Sequence, residues 1–262
     1  MSIGIAASAT METNGPPLLQ CLATATAAVR ELVDKMGAAT RALVVAGGTV
    51  AADRLEQHQT EAHGYAWMAS YCAILESAVA WADQLEARGA FGAIEQLLLT
   101  VGAAEYVQQI CHGIAMSQDE IVRPSMFGLQ DAAAELLRTP DIQDLLRAGA
   151  TSVARTRLVS LLRQGGLHTL TATADAGEAV AMVRDTFRAF ADEQVVPHAP
   201  GCHDRDELMP LSLIDQLAAL GVFGLTTPEQ LGGSGLGTVA MCVVTEELSR
   251  GYIGVGSLGT RA

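Results

Sequence analysis

Positive charge is in short supply in this chain of 262 residues: 16 Lys and Arg face 29 Asp and Glu, for a net charge of −13 and a pI near 4.8. Non-specific binding to nucleic acid or to an anionic membrane surface needs the opposite balance, because each contact sets a cation against a phosphate. Both partners are therefore excluded. Lysine is nearly missing, with Lys35 the single example; we read this as a genome-composition bias without functional weight. Long apolar runs are also lacking, and none approaches the ~20 residues that a membrane-spanning helix requires. The first 17 residues, MSIGIAASATMETNGPP, have neither a basic start nor an apolar centre. They are expected to be a disordered lead-in (1–17) and not a signal peptide, with Met11 available as a second start. No C-x-x-C pair occurs among the five cysteines, Cys21, Cys72, Cys111, Cys202 and Cys242. An odd, dispersed set of this kind predicts reduced, mostly buried thiols in a cytoplasmic protein.

Half of the residues are apolar and aromatics make up only 4%. Alanine and leucine supply the bulk, and both favour helices because they lose little side-chain freedom there. The periodicity predicts long helices over Leu18 to Arg41 and Ala51 to Arg88, separated by Gly47-Gly48. A third helix is predicted from Ala93 to about Ile110. A loop follows at Arg123 to Gly128, and then shorter helices over Gln130 to Arg138, Asp141 to Ala148 and Thr151 to Arg163. The texture changes in RQGGLHTLTATADAG, where periodicity is lost and a linker over 164–177 is expected. Beyond it Val180, Val183, Phe187 and Phe190 recur at helical spacing, up to a stop at Pro197 and Pro200. Another helix starts near Pro210 and is closed by Gly221, and a last one runs from Thr238 to Arg250. The expectation is an all-α protein with helical units at 18–163 and 178–262.

Several clusters carry possible chemistry. GVFGLTTPEQLGGSGLG (Gly221 to Gly237) and GVGSLG (Gly254 to Gly259) are rich enough in glycine to cradle a phosphate, or to form nothing but tight turns. A dinucleotide fingerprint needs a strand before the glycines and a helix after them, and neither stretch is preceded by a strand. Glu246-Glu247 is a carboxylate pair, suited either to acid–base work or to a solvated helix face with one member bonded to a neighbouring helix. His198, Cys202, His203, Asp204 and Asp206 are of zinc-ligating types, but their spacing matches no standard metal pattern. His58 and His63 do not share a helical face, and Trp67, Tyr71 and Trp81 read as helix packing. No Ser-His-Asp arrangement is visible.

Three segments in order carry a family resemblance. FADEQVVPHA (Phe190 to Ala199), DELMPLSLIDQLAALGVFGLTTPEQLGGSGLG (Asp206 to Gly237) and VVTEELSRG (Val243 to Gly251) resemble the N-terminal helical domain of the acyl-CoA dehydrogenases. AHGYAWMASYCAILE and GIAMSQDEIVRP (Ala62 to Glu76 and Gly113 to Pro124) are similar to an additional N-terminal helical domain that some members carry. QICHGIAMSQDE (Gln109 to Glu120) faintly resembles a Q-x-x-G-G motif of the family's C-terminal domain, with His112 in place of a glycine. The resemblance implies an FAD-dependent enzyme that oxidises the α,β carbons of an acyl-CoA, here a short branched or dicarboxylic one. It also implies a homo-oligomer served by an electron-transfer partner. Gly256, Ser257 and Thr260 match acyl-pocket positions, and Arg261 is placed to face a distal carboxylate, or else solvent or another helix. The family's β-domain signature and its catalytic carboxylate have no match before Ala262. The chain is thus expected to be the front portion of an enzyme, inactive and without bound FAD by itself. The alternative is a non-catalytic helical interaction module.

Overall fold

The computed structural model describes residues 18–165 and 177–259. The predicted lead-in at 1–17, residues 166–176 of the predicted linker, and Thr260, Arg261 and Ala262 lie outside the described residues. The architecture is all-α. Among the described residues there are twelve α-helices, and the strands are confined to two hairpins of two residues per side. The chain divides into two compact units between Ala172 and Thr173.

The first unit is built on α1 (Leu18–Val44), which buries one continuous stripe: Leu22, Ala25, Val29, Leu32, Val33 and Met36. Spacings of three and four place these side chains on one face. That face packs on α3 (Gln59–Ala87), α4 (Ala93–His112) and α6 (Pro140–Gly149). Met68, Cys72 and Leu75 come from α3, Val107 and Ile110 from α4, and Ile142 and Leu145 from α6. Two glycines allow the elements to meet. A Cβ on Gly149 would stand 2.1 Å from the Thr100 carbonyl oxygen, and one on Gly64 would stand 2.5 Å from Val122. The unit also holds the short α2 (Ala52–Gln57), α5 (Gln130–Leu136) and α7 (Ser152–Gly165), the last tied to α4 by an Arg155–Glu105 ion pair.

Local departures from the sequence reading have physical reasons. Gly47 and Gly48 do more than break a helix. With φ of 60° and 84° they form the turn of a hairpin that pairs Val45 with Val50. The single helix predicted from Ala51 to Arg88 is interrupted at His58, which separates α2 (Ala52–Gln57) from α3. No residue of α2 is buried, so no packing holds it in line with α3, and Arg54 instead donates to the Val45 carbonyl. The predicted loop at Arg123 to Gly128 contains a 3-10 turn, Pro124–Phe127, ended by Gly128 at φ 69°. Before it, Ile114–Ala115 pairs with Ile121–Val122. The aromatic residues do pack: Tyr71 meets Tyr106 edge-on at 4.7 Å, and Trp67 Nε1 donates to His63 Nε2.

The second unit has its own core of Phe187, Val195, Leu213, Leu217, Val244 and Leu248 with their neighbours. Of the predicted stripe on α8 (Glu178–Phe190), Phe187 is fully buried, while Val183 and Phe190 lie half-buried against the core. The helix ends just before Pro197, as the proline predicts, but not as a plain α-helix. It first widens into a π turn, Ala191–Val195, closed by Val196 N–H donating to the Ala191 carbonyl, and Pro200 sits in the first turn of the next helix, α9 (Ala199–Asp204). Next come α10 (Leu211–Ala219), α11 (Gly237–Gly251) and the single turn α12 (Ile253–Gly256). No helix among the described residues is long and apolar enough to cross a membrane.

Candidate functional site

The chemistry-bearing residues of the second unit gather around α11. The glycine-rich stretch that leads into it pairs with itself. The N–H groups of Gly233, Ser234, Gly235 and Leu236 donate to the carbonyls of Pro228, Gly224, Thr227 and Leu225. A Cβ on Gly233 would stand 2.1 Å from the Thr227 carbonyl oxygen. Glycine is needed here for close backbone approach, and donors engaged in this way are not offered to an anion.

The adjacent glutamates on α11 have opposite environments. Glu246 is exposed and pairs with Arg184, whereas Glu247 is 1% exposed. Arg188 of α8 reaches Glu247 from two nitrogens, Nη2 at 2.8 Å and Nε at 3.2 Å. Arg184 Nη1 lies at 3.1 Å and Arg250 Nε at 3.2 Å. Burial pushes the Glu247 carboxyl up. The hydrogen bonds from Arg188, Arg250 and Arg184 outweigh it, and the pKa falls below the usual glutamate value. A carboxylate held ionised with its oxygens occupied is not a proton shuttle at neutral pH. It ties α11 to α8. Arg250 extends the network to the π turn, with Nη1 2.8 Å from Asp192 Oδ1 and Nη2 donating to the Arg188 carbonyl at 3.4 Å.

After α11 the chain turns sharply. Tyr252 is extended, and α12 folds back onto the helix it has just left. The glycines of GVGSLG serve this packing. Gly254 lies under the Tyr252 ring, a Cβ on Gly256 would stand 1.9 Å from Ser249 Oγ, and Gly259 abuts Val222. The structure thus places Gly256 against Ser249, while Ser257 is half-buried and its Oγ donates to the Gly254 carbonyl. Thr260 and Arg261 lie outside the described residues.

The loop-side cluster does not assemble. Cys202 is buried with its Sγ on Met209 Sδ, and His198 and His203 are exposed. Arg205 is held by Glu207. No group of three His, Cys, Asp or Glu able to hold a metal occurs among the described residues. Sequence reasoning missed Arg184, Arg188, Asp192 and Arg250. A signal was available, since Arg184 and Arg188 stand four apart on α8 and so share one face. It also missed Thr245, whose buried Oγ has no hydrogen-bond partner.

Residues 177–261 match the family model described as acyl-CoA dehydrogenase, N-terminal domain. The chain is 45% identical over 253 residues to a (2S)-methylsuccinyl-CoA dehydrogenase from Cereibacter sphaeroides, covering 95% of this chain and 45% of that enzyme. It is 36% identical over 90 residues to the mitochondrial short-chain specific acyl-CoA dehydrogenase of Rattus norvegicus (34% of this chain, 22% of the relative). To a benzylmalonyl-CoA dehydrogenase of Aromatoleum aromaticum it is 41% identical over 69 residues, 26% of this chain and 18% of the relative. The chain therefore spans less than half the length of these curated relatives. The second unit thus matches an acyl-CoA dehydrogenase N-terminal domain, in a chain similar to one dehydrogenase along nearly its whole length.

Proposed function

We propose that this chain supplies the helical N-terminal portion of a cytoplasmic, FAD-dependent acyl-CoA dehydrogenase. Its substrate is a short branched or dicarboxylic acyl-CoA of the methylsuccinyl-CoA kind. One observation carries the reading. Similarity to the methylsuccinyl-CoA dehydrogenase runs over 253 residues and so through both units, whereas the short-chain and benzylmalonyl-CoA enzymes match over 90 and 69 residues. The first unit is then a helical extension (18–163), joined by a linker (164–177) to the dehydrogenase's N-terminal domain (178–262).

The chain's contribution is to orient the acyl group and keep water from it. Gly256, Ser257, Thr260 and Arg261 are assigned to the acyl chain. Arg261 answers the distal carboxylate, whose burial without a partner would be costly. Small side chains at these positions suit a branched acyl chain, although the space freed by Gly256 itself is taken up by Ser249. The N–H groups of Gly233–Leu236 are engaged with backbone carbonyls and are not offered to a flavin phosphate. We assign the flavin and the proton-abstracting carboxylate to parts of a longer, homo-oligomeric protein that passes electrons to a separate acceptor. The chain alone is inactive in this reading.

The test compares the chain with the full-length enzyme. The chain is expected to emerge colourless from gel filtration, and the full-length enzyme yellow and active on methylsuccinyl-CoA. Arg261→Met in the full-length enzyme should impair methylsuccinyl-CoA selectively over an uncharged branched acyl-CoA of similar size. Stoichiometric flavin on the chain alone, or a full-length enzyme indifferent to every short acyl-CoA, overturns the proposal. In the latter case the interaction-module reading gains.

A further inference from the structure

We infer that Arg250 is a positioning residue. Its guanidinium, clamped between Asp192 of the π turn and the buried Glu247, sets where the chain leaves α11 and so fixes the Tyr252–Gly259 segment; that this placement matters for substrate rests on the function proposed above.

Arg250 stands one residue before the end of α11, and its three contacts come from different places: Asp192 on the π turn, Glu247 one helical turn back, and the Arg188 carbonyl on α8. The π turn receives the helix end. A Cβ on Gly251 would stand 3.0 Å from Val195 Cγ1, so the wide turn and the bare backbone at Gly251 meet closely. π turns of this kind insert one extra residue into a helix and re-aim the residues beyond it. Here the turn brings the Asp192 carboxylate within reach of Arg250.

Beyond this clamp the segment is held by side-chain packing and by short-range backbone bonds. α12 is four residues long, too short to persist without packing. Its backbone bonds are local, with Val255 and Gly256 N–H donating to the Tyr252 carbonyl and Ser257 N–H to that of Ile253. Val255 fills the core and Gly256 seats on Ser249. Both contacts require that the chain emerge from α11 in the right direction.

Arg250 can be removed without stranding the buried charge, because Glu247 keeps Arg184 and Arg188. Arg250→Met therefore separates positioning from stability in a way that a substitution of Glu247 does not. Amide hydrogen exchange on this chain gives the first readout. Exchange at Val255, Gly256, Ser257 and Leu258 should speed up about three- to tenfold, as expected for local opening, while amides of α10 stay within twofold. Arg250→Lys keeps a charge but not the planar fork, and should restore only part of the protection. In the full-length enzyme Arg250→Met should raise KM for methylsuccinyl-CoA about three- to tenfold with kcat within about twofold, the mark of lost uniform binding. Unchanged exchange at α12, or equal acceleration at α10, overturns the positioning role whatever the enzyme does. Altered exchange with unchanged KM overturns its link to substrate. A native full-length enzyme without acyl-CoA activity overturns the function reading, and with it that link, and leaves the exchange result standing as the test of the clamp.

Discussion

At the scale of single residues, Glu247 shows how one carboxylate is made permanent. Its folded pKa lies below the ordinary glutamate value of 4.5. A depressed folded value means that the stabilisation is complete at neutral pH and is lost as the pH falls beneath about 4.5 toward the folded value. Glu247→Gln keeps the shape and discards the charge. It should destabilise the second unit by ~1.5–3 kcal/mol at neutral pH, the range for hydrogen bonds to charged groups. The gap from the native protein should then narrow in acid, as measured by urea unfolding at pH 7 and again below 4.5; a gap independent of pH would show that the charge is immaterial. Two residues earlier, Thr245 presents the reverse case, a buried hydroxyl without a partner. Valine has nearly the same shape and no hydroxyl to leave unsatisfied. Thr245→Val should therefore be neutral or should stabilise by up to ~1 kcal/mol in the same titration, and a clear loss would reveal a hydrogen bond made by that oxygen.

At the scale of elements, glycine decides which helices may touch. Gly149 of α6 faces the Thr100 carbonyl on α4, and backbone cannot swing aside as a flexible side chain can. Gly149→Ala should cost ~1–3 kcal/mol through overpacking, seen as a lower midpoint in thermal unfolding. Retention of the native midpoint would mean that the two helices separate easily. The long helices were legible in sequence because α1, α8 and α10 repeat apolar residues at a period that only a helix presents on one face. The interruption at His58 was not legible, because both sides of it favour helix and only the lack of burial along α2 tells them apart. The π turn was hidden for a similar reason, since FADEQVV reads as uninterrupted helix. On the site, the adjacent glutamates were visible but which of them is buried was not. That depends on Arg184 and Arg188, about sixty residues away in sequence and adjacent in space. The glycines of GVGSLG have a phosphate-motif spacing that the lack of a preceding strand set aside, but that spacing did not reveal that Gly256 packs on Ser249 and Gly259 on Val222.

At the scale of the whole molecule, the two units keep separate cores with no residue in common. The placement of the thiols has a consequence for this arrangement. No disulfide joins the five cysteines, and four are buried: Cys21, Cys72 and Cys111 in the first unit and Cys202 in the second, with Cys242 exposed. Burial also pushes the Cys72 and Cys111 thiols up to about 11 and about 12, so they are unreactive while folded. A thiol reagent added to the native protein should modify Cys242 at once and the others only as their surroundings open. In Gly149→Ala the three thiols of the first unit should react sooner while Cys202 keeps its native rate; simultaneous release of all four would mean that the units open together. The chain thus carries an intrinsic set of clocks, three timing the opening of one body and one timing the other, readable by mass spectrometry of the reagent's adducts without any engineered cysteine.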